Sequence, residues 1–346
     1  MADRLLEVDG LEVSFATEDG LVRAVDGVSF TLDRGEVVAI VGESGSGKSV
    51  TVMTLMGLTR SPNSRFGGSA RLGDRDLIAA SEHDLERIRG QEIAMIFQDP
   101  ISSLSPVHRI GDQIVEQIRA HEKISKAAAL DRAVELMERV GIPRARDRAR
   151  AYPHEFSGGM RQRAMIAMAL SLSPSVLIAD EPTTALDVTI QAQILKEITE
   201  LQQESDSGVI FVTHDLGVVA DIADRVLVTY AGQVVEQGTL DEIFYDPQHP
   251  YTWGLLGSIT RMDREPPRRL PAIPGQPPSL AQPPEGCHFR PRCPHAFDRC
   301  YELPALEARV PEAPEHQDRC WREVAYKRTR REVEGRIGLG TGSVVA

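Results

Sequence analysis

The sequence predicts an α/β fold with a largely parallel sheet, and three observations carry that expectation. Four apolar runs of β type (EVVAIVG, VLIAD, VIFVTHD and RVLVTYAG) are interleaved with helical patterns. A glycine-rich turn joins the first run directly to the helical-looking KSVTVMTLMGL. Past residue 247 the texture changes: ten prolines fall between Pro266 and Pro294, too many for helix or central strand.

The elements follow in order. In residues 1–40, LLEVDGLEVSF and AVDGVSFTLDRG alternate apolar and polar residues between turn signals, which predicts short strands of an N-terminal antiparallel β-subdomain. EVVAIVG is nearly continuously apolar, as a strand covered on both faces must be. Residues 99–170 read as a helical subdomain inserted into the sheet, with AAALDRAVELMERVG closing on a glycine where a C-cap belongs. TIQAQILKEITELQQE is a further helix between the second and third β runs. The chain divides into an α/β unit over 1–248, a proline-rich, loop-rich extension over 249–332, and a tail, 333–346, whose composition predicts disorder. The proline segment is expected to lie as an extended strap across the rest.

Composition narrows the function. The 346 residues carry 41% hydrophobic and 26% charged side chains, a globular balance. No run approaches the roughly 18 apolar residues of a membrane span. The acidic start MADRLLEVDG has no apolar segment, so no signal peptide is read and a cytoplasmic location is expected. The formal net charge is −12. Residues 261–346 hold 15 basic and 12 acidic residues, leaving 24 against 39 before them. That balance argues against a nucleic-acid partner, which wants a basic face.

Gly42–Ser49, GESGSGKS, fits G-x-x-x-x-G-K-[ST] between a predicted strand and a predicted helix, the context that motif requires. Gly42, Gly45 and Gly47 let the backbone turn its N–H groups onto a phosphate, with Ser44 and Ser46 between them and Val50 just beyond. The helix start adds positive potential. Lys48 is expected at the β- and γ-phosphates of a nucleotide and Ser49 at Mg²⁺. The companion is VLIADE, an apolar strand ending in Asp180, placed to hold Mg²⁺ through water, and Glu181, placed to orient or deprotonate the attacking water. His214 ends the next strand; alone, it would read as structural.

SGGMRQ (157–162) then stands 18 residues before Asp180, counted from Gln162, and opens a helix. With Gln98 in IFQDP, the run Ala185–Asp187 and His214, the chain resembles the ABC-type P-loop ATPases. That resemblance spans about residues 5–330. It implies ATP sandwiched between two nucleotide-binding domains, with Ser157, Gly158, Gly159 and Gln162 of one covering the nucleotide of the other. It also implies Gln98 as a contact to Mg²⁺ or water that senses the membrane partner, His214 at the γ-phosphate, and Phe15 stacked on adenine. A phenylalanine on a strand is otherwise simply core. FQDPISSLSPVHRIGDQI, YPHEFSGGMRQR and the tail HPYTWGLLGSI…IPGQPPSL narrow the resemblance to ATPase subunits of oligopeptide and dipeptide importers, a group that includes nickel and glutathione transporters. Ser105 stands where those relatives often carry asparagine.

All four cysteines lie in the extension, spaced Cys287-x5-Cys293-x6-Cys300-x19-Cys320. The spacing alone leaves a 4Fe-4S cluster, zinc and unligated thiols open. The missing C-x-x-C knuckle makes zinc less natural, although His288, His295 and His316 would allow a mixed site. The family resemblance favours the iron–sulfur cluster.

The resulting expectation is an ATP-hydrolysing subunit of an ABC importer for di- and oligopeptides, on the cytoplasmic face of the membrane. Its partners would be two transmembrane permease subunits, a second ATPase subunit (a paralogue is favoured) and, indirectly, an extracytoplasmic peptide-binding protein. The alternatives are the same role for nickel or glutathione, an exporter subunit, or a soluble ABC ATPase of ribosomes or DNA. The last group carries paired domains, long coiled coils or inserted zinc modules, none of which is legible here.

Overall fold

The computed structural model describes residues 3–18, 20–183, 188–258 and 272–334. Two strands open the chain, β1 (Arg4–Thr17) and β2 (Gly20–Asp33). They are long where the turn signals suggested short ones. Gly10 and Gly27, at φ 55° and 69°, sit where the β1–β2 register slips, so each serves a bulge within a continuous strand rather than a turn. The wholly buried β3 (Val37–Val41) leads to α1 (Lys48–Leu55). Then β4 (Ser64–Leu72) and β5 (Arg75–Asp76) complete an antiparallel sheet of order β2-β1-β4-β5.

The helix α2 (Glu82–Ile88), capped by Ser81, enters β6 (Ile93–Ile96). The helical subdomain follows as α3 (Pro100–Ser103), α4 (Ile110–His121), α5 (Lys126–Arg139), α6 (Ala145–Arg148) and α7 (Gly158–Ala169). α5 ends as its glycine suggests: Gly141 has φ 73° and Ile142 N–H donates to Met137 O at 2.9 Å. After β7 (Val176–Asp180) come α8 (Val188–Ser205), β8 (Gly208–Thr213), α9 (Leu216–Ile222), β9 (Arg225–Tyr230) and β10 (Gln233–Thr239). The chain continues with α10 (Leu240–Tyr245), α11 (Pro250–Gly257), β11 (Glu307–Ala308), β12 (Gln317–Asp318) and α12 (Val324–Glu334).

The main sheet has the order β11-β12-β10-β9-β3-β8-β7-β6. It is parallel from β9 to β6, and β10, β12 and β11 add an antiparallel edge. Its strands are buried on both faces because alternate residues feed different cores. Val38, Ile40, Ile178, Ile210 and Val212 join the N-terminal sheet and α1. Ala94, Ile96, Leu177, Ala179 and Phe211 instead meet α4, α5 and α7. Farther along the sheet, Ala39, Val41, Val226, Val228 and Tyr230 carry a third cluster completed by Tyr251, Leu256 and Phe289.

The extension is therefore built onto the sheet, and not merely strapped across it. Its proline-rich part is described over 272–289 and has no helix or strand there. β12 pairs with β10, and α12, absent from the sequence expectation, is tied to β12 by Lys327–Asp318 and to Asp246 by Arg328 and Arg331. A buried polar network holds this junction. Glu236 accepts the N–H groups of Gln248 and, at 2.9 Å, of His249, and meets His316 Nε2 at 2.8 Å. Lys327 Nζ donates to Asp318 Oδ1 at 2.7 Å with both side chains buried. Burial, and then the nearby Lys327, pushes His249 down to about 3, so it stays neutral and its Nδ1 accepts from Tyr251 N–H at 3.1 Å. The run Ala185–Asp187 and most of the tail (335–346) lie outside the described residues.

Candidate active site

The loop Gly42–Gly47 turns at the carboxyl end of the central strand β3, where an open α/β sheet leaves its crevice. Two glycines are sterically required. A Cβ on Gly42 would stand 2.2 Å from Thr229 O, and one on Gly47 2.4 Å from Ala24 O. Gly45 has open space but φ 77°, which needs glycine for its backbone alone. Ser46 is buried and locked inward, its Oγ 2.9 Å from Thr229 Oγ1, which itself donates to Val41 O. Ser44 is exposed and Val50 half-buried.

Among the described residues no side chain caps the start of α1. α2, α5, α7 and α10 each have a hydroxyl accepting a first-turn N–H, from Ser81, Ser125, Ser157 and Thr239. α1 has Gly47 in that position, no side-chain cap and no acidic residue in its first turn. Its free N–H groups and dipole are available to an anion. Lys48, 5% exposed, bends into the loop and donates to Gly42 O at 2.8 Å and Glu43 O at 3.0 Å. Burial lowers its pKa, against the pull of Glu181, Asp180 and Glu43.

Ser49 Oγ donates to Asp180 Oδ1 at 3.0 Å, so the loop hydroxyl and the strand-end carboxylate share one small space. Asp180 is buried, and that burial, offset in part by Ser49, raises its pKa. Glu181 follows with φ 46°, unusual for a non-glycine residue and typical of side chains re-aimed at functional sites. Its Oε2 accepts from Gln98 Nε2 at 2.9 Å and its Oε1 lies 3.3 Å from His214 Nδ1. Gln98, Glu181 and His214, from three separate strand ends, thus converge.

Other expected residues fall elsewhere. Ser157 and Gly158 are exposed at the start of α7, and Ser157 Oγ accepts its own helix's Met160 N–H at 3.3 Å. Gly159 is half-buried beside them. Gln162, expected at the nucleotide, is 2% exposed and points inward, donating through Nε2 to Pro182 O at 2.6 Å. Four residues past Gly158, it lies on the helix face that packs on the β7 loop, where it steadies the backbone after Glu181. Phe15 sits on β1 opposite Val22 and Ser64, half-buried against the core beneath the N-terminal sheet.

Two loop partners carry no local sequence signal. Tyr251 OH accepts Glu43 N–H at 2.9 Å, and Arg292 grips the Glu43 carboxylate with both Nη atoms at 2.6 and 3.0 Å. Both come from the extension.

The four cysteines are free thiols; Cys300 is buried and the others half-buried. For three of them the backbone amide two residues on, that of Phe289, His295 and Arg322 in turn, favours the thiolate of Cys287, Cys293 and Cys320 without outweighing burial. Burial, the dominant effect, pushes Cys293 and Cys320 up to about 12. Among the described residues no group of three or more His, Cys, Asp or Glu side chains is placed so that it could hold a metal ion. Against the sequence expectation, the four thiols are not grouped as a ligand set among the described residues.

An uncapped helix start facing a strand-end carboxylate pair is the arrangement of P-loop nucleoside triphosphatases. Comparison with known proteins specifies which kind. Residues 25–184 match the ABC transporter family, and residues 235–300 match the C-terminal region of oligopeptide/dipeptide transporters. The oligopeptide transport ATP-binding protein OppD of Bacillus subtilis is 57% identical over 86% of this chain and 84% of its own. The dipeptide transport ATP-binding protein DppD of Lactococcus lactis is 52% identical over 92% and 91%. Among solved structures, the dimeric ATP-binding cassette MJ0796 bound to ADP and Pi superposes with a TM-score of 0.61 at 25% identity, over 68% of this chain and 98% of that one. The chain belongs to the ABC transporter ATPases, in the branch of oligopeptide and dipeptide transport ATP-binding proteins.

Proposed function

We propose that this chain binds and hydrolyses ATP to energise the import of di- or oligopeptides, and that residues 1–248 are its nucleotide-binding domain and 249–332 an extension of it. The observation that carries the reading is the convergence of Gln98 and His214 on Glu181, beside the Lys48–Ser49 helix start. Gly42, Ser44, Gly45, Ser46, Gly47 and Val50 shape the loop around the phosphates, and Lys48 neutralises them. Ser49, Asp180 and Gln98 offer the hard oxygen donors that Mg²⁺ takes alongside nucleotide phosphates, where the ion would offset charge on the γ-phosphate. Glu181 accepts the proton of the attacking water, with Gln98 and His214 fixing its carboxylate and His214 reaching the γ-phosphate. Phe15 stacks on the adenine.

Ser157, Gly158 and Gly159, exposed on α7, face the nucleotide of a second ATPase subunit. Closure then depends on the γ-phosphate's differential affinity for the closed pair, and hydrolysis removes that bridge. Among the described residues no helix is long and apolar enough to cross a membrane. Attachment to the cytoplasmic face therefore runs through two permease subunits, with the extracytoplasmic binding protein selecting the solute. Expressed with its permeases the chain should fractionate with membranes; recovery wholly in the soluble fraction would favour the soluble ABC ATPase reading.

We also propose that Cys287, Cys293, Cys300 and Cys320 hold a 4Fe-4S cluster, with zinc as the alternative. The gathering of all four cysteines in one loop-rich segment supports it, as does the backbone amide that favours the thiolate at Cys287, Cys293 and Cys320. An anaerobic preparation should be brown, with about four irons per chain. A colourless protein containing a single zinc would overturn the cluster.

A further inference from the structure

Glu43, the second residue of the phosphate loop, is held at every polar group it has. Its N–H donates to Tyr251 OH, its carbonyl accepts Lys48 Nζ, and its carboxylate takes both arms of Arg292. Arg292 is itself fully committed. Beyond Glu43 it donates through Nε to Pro274 O at 2.9 Å, through Nη2 to Ile273 O at 3.2 Å and through Nη1 to Tyr230 OH at 3.3 Å. That uses all five of its N–H groups, with the side chain only 4% exposed. Tyr230, Tyr251 and Phe289 pack ring against ring around it, with centroids 4.6 to 5.4 Å apart. The extension therefore reaches back 249 residues to fix the first turn of the loop.

We propose that Arg292 is a positioning residue for the nucleotide: by neutralising and anchoring Glu43, it keeps a carboxylate in the loop from repelling the triphosphate. Asp180 and Glu181 already face Lys48, the loop's only cation. An uncompensated Glu43 would add a third negative charge beside an anionic ligand in a partly desolvated crevice, where charge interactions are strong. The extension is thus part of the ATP site, and the Glu43 carboxylate is tolerated because Arg292 accompanies it.

The inference rests on Gly42–Ser49 being the nucleotide site; a wild-type chain that binds no ATP would sink that reading before any variant is compared. The test uses the full chain with Arg292→Met, Glu43→Gln and the pair combined. Displacement of a fluorescent ATP analogue by ATP and by ADP gives affinity, and thermal midpoints report folding. Arg292→Met should weaken ATP by about tenfold and ADP by less, as an uncompensated carboxylate near an anionic ligand implies. Adding Glu43→Gln should return ATP to within about threefold of wild type, the coupling expected of groups in contact. Unchanged ATP affinity in Arg292→Met, or a loss that Glu43→Gln does not relieve, would overturn the proposal. Should Arg292→Met fail to fold, Arg292→Lys decides: charge retained should hold ATP within about threefold, and a loss of tenfold or more would contradict charge compensation.

Discussion

Glu181→Gln should still bind ATP, stay closed on its partner subunit, and lose hydrolysis by about 10²- to 10⁴-fold, the usual worth of a positioned general base. Glutamine matches glutamate in shape, so the contacts from Gln98 Nε2 at 2.9 Å and His214 Nδ1 at 3.3 Å have an isosteric partner and the loop keeps its form. What the amide lacks is a lone pair basic enough to take the water's proton. With the γ-phosphate uncleaved, the ligand bridging the two ATPase subunits persists, and the closed state persists with it. Steady-state phosphate release and the size of the ATP-bound pair measure the two halves of this expectation. Near-normal turnover would place the base at another residue.

Lys48→Ala should fail one step earlier, at binding. Its ammonium is buried among Glu181, Asp180 and Glu43, and it ties the loop to itself through Gly42 O and Glu43 O. Alanine removes the cation and leaves the carboxylates facing incoming phosphates. Truncating one member of a buried, hydrogen-bonded charge pair costs about 2–5 kcal/mol, so ATP affinity should fall by roughly 30-fold or more. Equilibrium binding of ATP by the purified variant measures it. Unchanged affinity with lost turnover would make Lys48 a catalytic group and leave the binding to the loop amides. The two variants therefore separate: one moves affinity, the other the chemical step.

Legibility in the sequence tracked the range of the interaction. The phosphate loop and the Asp180–Glu181 pair sit within a few residues of a strand end, so glycine spacing and an apolar run were enough to locate them. Gln98 and His214 could be tied to Glu181 only through family resemblance, since nothing local shows three strand ends meeting. Gln162 reaches the site expectation only through the resemblance, which gives no helix face: it lies four residues past Gly158 yet turns to Pro182. The bulges at Gly10 and Gly27 were not legible, because a bulge glycine has no sequence signature that sets it apart from a turn glycine. Arg292, one arginine among many in a proline-rich segment, offered no pattern that would pair it with Glu43. β11 and β12, two residues each, are too short for any periodicity.

Uptake of a labelled tripeptide by cells lacking this gene, complemented with wild type or Glu181→Gln, tests most directly that hydrolysis at this site drives peptide import. Uptake should vanish on deletion and return with the wild type alone. Restoration by Glu181→Gln would contradict hydrolysis at this site as the driving step. Uptake unchanged by the deletion would contradict tripeptide import by this chain and turn the question to dipeptides, nickel or glutathione.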